Sequence, residues 1–225
     1  MSDGLAFSFA GARLLALPDG ALWWPAEHLL AVADLHLEKG SSFAERKTFL
    51  PPYDTAATLD RLEALLAAKA PARVVALGDS FHDARAQARL VATERARLAA
   101  LVARARWTWI AGNHDPHPAG AGGEVARDLR VGPLVFRHEA ATDRLPAGEV
   151  SGHFHPKCTL RGAGRAVSAR CFAFDGRRLV LPAYGAYAGG LDVRDPALAR
   201  LFDPDFKVLA LARGRVHAIV GARLG

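Results

Sequence analysis

The 225-residue chain is 51% hydrophobic, has a net charge of +6 at pH 7 and contains two cysteines. That length and apolar content suit one ordered α/β domain with a sizeable core and exclude a disordered or low-complexity chain. No apolar run approaches the ~18 residues of a bilayer span, and Cys158 and Cys171 are too few for a disulfide scaffold. With Asp3 and no basic segment at the start, no secretory leader is expected, which leaves a cytoplasmic protein with free thiols and no membrane association.

Residues 7–17 and 21–24 read as short strands, broken by Gly11 and by the Pro18-Asp19-Gly20 turn. Residues 28–33 form a buried strand that ends in Asp34-Leu35-His36. A helix is expected over 54–69, with Asp54 as its N-cap and Ala56, Leu59, Leu62, Leu65 and Leu66 on one face. The next strand, 73–77, ends in Gly78-Asp79. A helix over 93–105 then leads to a strand over 107–111 and to Gly112-Asn113-His114-Asp115. This first half is a β-α-β-α-β series, which implies a parallel sheet. Beyond Pro116 the pattern changes to short strands near 134–137, 149–151, 166–174, 178–181, 208–212 and 216–220, separated by Gly, Pro and Asp turns. They imply a second sheet packed on the first with helices outside, all in one domain over 1–225 with no linker. Segments 116–123 and 183–190 read as loops bordering a site.

Charge is clustered. Arg85, Arg89, Arg95, Arg97, Arg104 and Arg106 form one basic run, and Lys157, Arg161, Arg165, Arg170, Arg177 and Arg178 another. Both fit either solvated faces or a surface turned towards nucleic acid.

Chemistry concentrates where strands end. Asp34, His36, Asp79, Asn113, His114, Asp115, His138, His153 and His155 each follow an apolar run of strand length. Of the chain's nine histidines, His36, His82, His114, His138, His153 and His155 lie in these stretches or near Asp79. Carboxylates, one amide oxygen and several imidazoles, without a thiolate, suit two divalent cations that share a carboxylate, not a structural zinc cluster. Asp79 can bridge, because its carboxylate has two oxygens. The two-residue spacings of Asp34/His36 and His153/His155 would place each pair on one face of an extended segment. Two divalent cations against two carboxylates and a hydroxide leave positive charge to hold a phosphate. His28, His117 and His217 have no place in the pattern.

The order D-x-H, G-D, G-N-H-D, His, G-H-x-H resembles the calcineurin-like metallophosphoesterase superfamily. The resemblance implies a four-layer α-β-β-α sandwich, a first metal held by Asp34, His36, Asp79 and His155, and a second held by Asp79, Asn113, His138 and His153. It implies attack by a metal-bridging hydroxide, His114 as the acid that protonates the leaving oxygen, and Asp115 as the group that orients its ring. His82, three residues past the bridging Asp79, is similar to the SbcD-type DNA repair nucleases, where this residue faces the scissile phosphate. Gly78-Asp79-Ser80-Phe81-His82-Asp83 lacks the arginine of phosphoprotein phosphatases. Residues 181–191, with Cys171-Phe172 upstream, resemble the small bacterial DNA-ligase-associated metallophosphoesterases, which lack a capping domain. Glu139 stands after His138 where many relatives have glycine.

The implied activity is a manganese-dependent phosphodiesterase that cuts single-stranded DNA internally in DNA repair, in functional association with a ligase and a helicase and possible as a homodimer. A phosphodiesterase or phosphatase acting on a small nucleotide or a phosphomonoester would use the same ligands, and a non-catalytic scaffold would be expected to have lost them. Phe43, Phe81, Phe154, Tyr184 and Tyr187 could stack bases or pack the strand ends, and Lys39, Lys47 and Lys157 could contact phosphate.

Overall fold

Alternation of apolar side chains sets the layers of this computed structural model, which describes residues 4–48, 50–118, 121–141, 147–162 and 165–219, with backbone alone at 161, 162 and 165. Strands β1 (Leu5–Phe9), β2 (Ala12–Ala16), β3 (Leu22–Trp24) and β4 (Leu29–Val32) form an antiparallel meander. Strands β5 (Arg73–Leu77), β6 (Arg106–Ile110) and β7 (Glu124–Ala126) extend that sheet parallel to β4. Helices α1 (Lys39–Glu45), α2 (Asp54–Lys69), α3 (Ala86–Arg89) and α4 (Ala92–Val102) fall between the parallel strands in sequence.

The second sheet contains β8 (Asp128–Val131), β9 (Leu134–Arg137), β10 (Glu149–Ser151), β12 (Arg165–Phe174), β13 (Arg178–Val180), β14 (Lys207–Ala212) and β15 (Arg215–Ile219). Its order is β15-β14-β12-β13-β10-β9-β8, and β11 (Lys157–Gly162) forms an antiparallel hairpin with β12.

Successive side chains of a strand point to opposite faces, and the buried residues sort accordingly. From β4, β5 and β6, Leu30, Val32, Val74, Ala76, Trp107 and Trp109 pack under Leu59, Leu62, Leu66, Leu98 and Leu101 of α2 and α4. Their neighbours Leu29, Ala31, Val75, Leu77 and Ile110 point the other way, against Phe136, Val150, Phe172, Leu179 and Leu209 of the second sheet. The outer face of that sheet, Cys171, Ala173, Val208 and Ala210, is covered by Val193, Leu198 and Phe202 around the short helix α5 (Pro196–Ala199). The four-layer α-β-β-α sandwich is therefore present, with a thin second helical layer.

Some local expectations change. Tyr53, not Asp54, is the N-cap of α2 and makes no side-chain cap bond; the Asp54 carboxylate instead accepts the Gly40 N–H at 3.0 Å. Ala56 is only half-buried, and Thr55 and Thr58 join the buried face of α2 because their hydroxyls find Glu38 and the Asp54 carbonyl. Strands β7, β8 and β11 and helices α1, α3 and α5 add to the expected elements. Val220 and the side chains of Arg161 and Arg165 lie outside the described residues.

Candidate metal centre

Seven side chains converge from the C-terminal ends of five strands. Asp34 and His36 follow β4, Asp79 follows β5, Asn113 follows β6, His138 follows β9, and His153 and His155 follow β10. Strands β4, β5 and β6 are mutually parallel, as are β9 and β10. Each sheet thus presents its strand ends together, where loops take over from the ladder and ligand groups can gather. The segment after β13 joins the two sets of ends. Leu181 N–H donates to the Ser151 carbonyl, Tyr184 N–H to that of Ala33, and Gly185 N–H to that of Asp34.

Two groups form. Asp34, His36 and His155 each bring a ligand atom within 4.8 Å of the other two, and Asp79, His138 and His153 do the same. The Asn113 Oδ1 joins the second group, 2.7 Å from His138 Nε2 and 3.1 Å from His153 Nδ1. His153 and His155, two residues apart, therefore separate into different groups rather than sharing one face. Nor is the backbone extended there. Asp34, His36, Asp79, His153 and His155 all have positive φ, between 44° and 68°. Non-glycine residues in this region cost roughly 1–3 kcal/mol each and cluster where function over-determines the backbone. Left-handed turns, not a pleat, aim both pairs at the site.

The donor chemistry fits divalent cations. His138 Nδ1 donates to the Leu77 carbonyl at 3.0 Å, so its Nε2 presents a lone pair towards Asn113 Oδ1 and Asp79. His153 turns Nε2 to Glu139 Oε1 at 3.7 Å and Nδ1 inward, 3.1 Å from His138 Nε2. In the other group His36 Nε2 and His155 Nε2 stand 3.2 Å apart, and His155 Nε2 is 3.4 Å from Asp34 Oδ1. Such separations match the ligand–ligand edges, roughly 3.0–3.4 Å, of a coordination shell with metal–nitrogen bonds near 2.1 Å. Burial and the facing His155 push the His36 imidazole down to about 2, and burial also lowers His153. Both are neutral at physiological pH, the form that ligates a metal.

Gly112 shows how tightly this shell is built. A Cβ there would lie 2.2 Å from Asp79 N and 2.3 Å from Asp79 Oδ1. Gly112→Ala should displace the Asp79 carboxylate and lower both metal content and turnover, the latter by ~10²-fold, as a misplacement near 1 Å can do. Metal analysis beside steady-state rates, with circular dichroism to verify the fold, checks it.

His114 belongs to neither group. Its Nε2 is 3.9 Å from Asp79 Oδ2, and its backbone N–H donates to Asp79 Oδ1 at 3.0 Å. The ring Nδ1 donates to the His82 carbonyl at 2.9 Å, which leaves Nε2 without a hydrogen bond among the described residues. This corrects the role expected of Asp115. One oxygen of its buried carboxylate accepts the Phe81 N–H at 3.0 Å and the other has no hydrogen-bond partner, so it does not orient the His114 ring. Burial, and then the charge of Asp79, raise the Asp115 carboxyl to about 7. The His82 ring stacks on His114 with centroids 5.5 Å apart and meets His36 edge-on at 5.5 Å. Burial and the nearby Lys39 ammonium lower His82 to about 4, so it too is neutral.

A clamp that no local pattern announces joins the segments that carry these rings. The buried Glu38 carboxylate accepts from Thr55 Oγ1 at 2.9 Å and Ser41 Oγ at 2.6 Å. Arg89 pairs with Asp83 at 2.8 Å and donates to Ser41 Oγ at 2.9 Å, tying helix α1 to the loop that carries His82. The signal is only tertiary: none of these residues has a local pattern.

Several expected surface roles fall away. Phe81, Phe154 and Tyr184 are buried packing residues, which leaves Phe43 and Tyr187 partly exposed among the candidate stackers. In the first basic run Arg85 and Arg89 pair with Glu45, Arg97 with Asp60 and Glu63, and Arg106 with Glu124. Arg170 turns inward to the Ala183 and Asp19 carbonyls, and Arg178 to those of Leu201 and Ala141. These two are braces, not a nucleic-acid surface. His28, His117 and His217 join neither metal group.

A family model described as calcineurin-like phosphoesterase matches residues 28–176. Among solved structures, the chain is similar to a nuclease MPE of Pseudomonas putida at 28% identity and a TM-score of 0.74, with 96% of this chain and 99% of that one covered. It is also similar to Yfce, a phosphoesterase from E. coli, at 15% identity and a TM-score of 0.43, covering 85% of this chain and 98% of the other. No curated protein matches.

Proposed function

The chain belongs to the calcineurin-like phosphoesterase family, and from that premise we propose that it is a manganese-dependent phosphodiesterase that cuts single-stranded DNA internally, in DNA repair. The observation that carries this reading is the pair of imidazoles outside the ligand groups, the half-buried His82 stacked on the exposed His114 at 5.5 Å. Similarity to the P. putida nuclease over nearly the whole of both chains supports the same substrate class.

Asp34, His36, Asp79 and His155 would hold one divalent ion, and Asp79, Asn113, His138 and His153 the other. When bound, the two ions supply an activated water and Lewis acidity at the phosphate oxygens. The chain's own side chains then decide what happens to the ester. His114, oriented through Nδ1 by the His82 carbonyl, holds a proton on Nε2 for the departing sugar oxygen. The neutral His82 ring offers a hydrogen bond to a diester oxygen. Lys39, held by the Tyr187 carbonyl at 3.0 Å, adds one positive charge on the side of His36 and His82.

With manganese, the protein should hydrolyse bis-p-nitrophenyl phosphate about tenfold or more faster than p-nitrophenyl phosphate, a difference of ~1.4 kcal/mol in barrier. The reverse preference would overturn the diesterase reading and favour a monoester substrate.

A further inference from the structure

A groove of about 570 Å³ opens from Asn113 and His138 and runs between Glu139 and the side formed by Asp128 of β8, Arg137 of β9 and Arg127, which links β7 to β8. Its size falls in the range that holds a small ligand, roughly 300–1,000 Å³. Four charged side chains line it, and three are engaged. Arg137 pairs with Asp128 at 3.3 Å and faces the buried Glu149 at 3.7 Å, while Glu139 faces His153 Nε2 at 3.7 Å. Arg127 is exposed and makes no ion pair or hydrogen bond among the described residues. The groove therefore starts at the second ligand group and presents a single uncompensated guanidinium.

We propose that this groove is a subsite for the nucleotide next to the scissile bond, with Arg127 receiving its phosphate. A guanidinium binds phosphate oxygens through two parallel N–H donors, so the contact is favourable and insensitive to base identity. Alanine methyls of the groove wall leave room for the sugar. The inference rests on the proposed DNA substrate and extends it: the strand would leave the metals along Arg127.

The test is binding and cleavage of a twelve-nucleotide thymidine strand by the full chain loaded with manganese, with a phosphorothioate strand for the binding arm. Arg127→Ala should weaken binding about tenfold and reduce the slope of log K against log salt by ~0.7, the value for one single-strand phosphate. Arg127→Lys should restore the slope, which a packing role would not. A wild-type slope in Arg127→Ala, with the strand bound and cut, would overturn the subsite and leave the nuclease reading standing. A reduced slope in Arg127→Ala, on a strand that the wild-type protein binds but never cuts, would keep the Arg127–phosphate contact and sink the endonuclease reading. No binding by the wild-type protein would overturn both.

Discussion

His114→Ala should slow DNA cleavage by ~10²–10⁴-fold, the usual loss when a positioned general acid is removed, while leaving the metal content at the wild-type value. The separation of the two effects follows from geometry. The His114 ring lies outside both ligand groups, with Nε2 3.9 Å from Asp79. Its contribution to the shell is a backbone N–H to Asp79 Oδ1, which alanine keeps. The loss should also depend on the leaving group. A sugar alkoxide needs a proton as it departs, whereas p-nitrophenolate is a stable anion, so the variant should lose much less activity on the nitrophenyl diester than on DNA. Rates on both substrates, with metal analysis of the same preparation, check this. Equal losses on the two esters would remove His114 from the acid role.

Asp79→Asn should have the larger effect. Of the seven side chains in the two groups only Asp34 and Asp79 carry charge, so the substitution removes half of the anionic charge facing two cations. The shape is retained, and an amide oxygen can still accept the His114 N–H now bonded at 3.0 Å. Metal content should fall from two ions per chain to one or none, and turnover by about 10³-fold or more, the several kcal/mol that bound metals supply. Elemental analysis after dialysis against limiting manganese measures the first, and the DNA assay the second. Two retained ions would mean that Asp79 is not shared between the groups.

The layering and the identity of the converging residues were legible because each of these residues follows a strand, and strand burial is written locally as apolar runs such as 73–77 and 107–110. What was not legible depends on tertiary partners. Helix α1 contains Gly40, Ser41 and Ser42, poor helix formers; it is held by Arg89, Asp54 and Glu38, which come from other parts of the chain or just before it. Strand β11 has polar Lys157 and Thr159 and is defined by pairing with β12 and by Thr159 bonding Asp192 at 2.9 Å. The residues of the D-x-H and H-x-H spacings do converge, but period-two reasoning assumed extended backbone where the chain takes left-handed turns. Likewise a run of arginines cannot announce that Glu45, Asp60, Glu63 and Glu124 will neutralise it from other elements.

The substrate decides the central claim. Circular single-stranded DNA has no ends, so only an internal phosphodiester cut can change it. Incubated with the manganese-loaded protein, the circle should first become linear and then break into shorter fragments, and Asp79→Asn should abolish both steps. A circle that stays intact under conditions where the same preparation hydrolyses bis-p-nitrophenyl phosphate would contradict the endonuclease account.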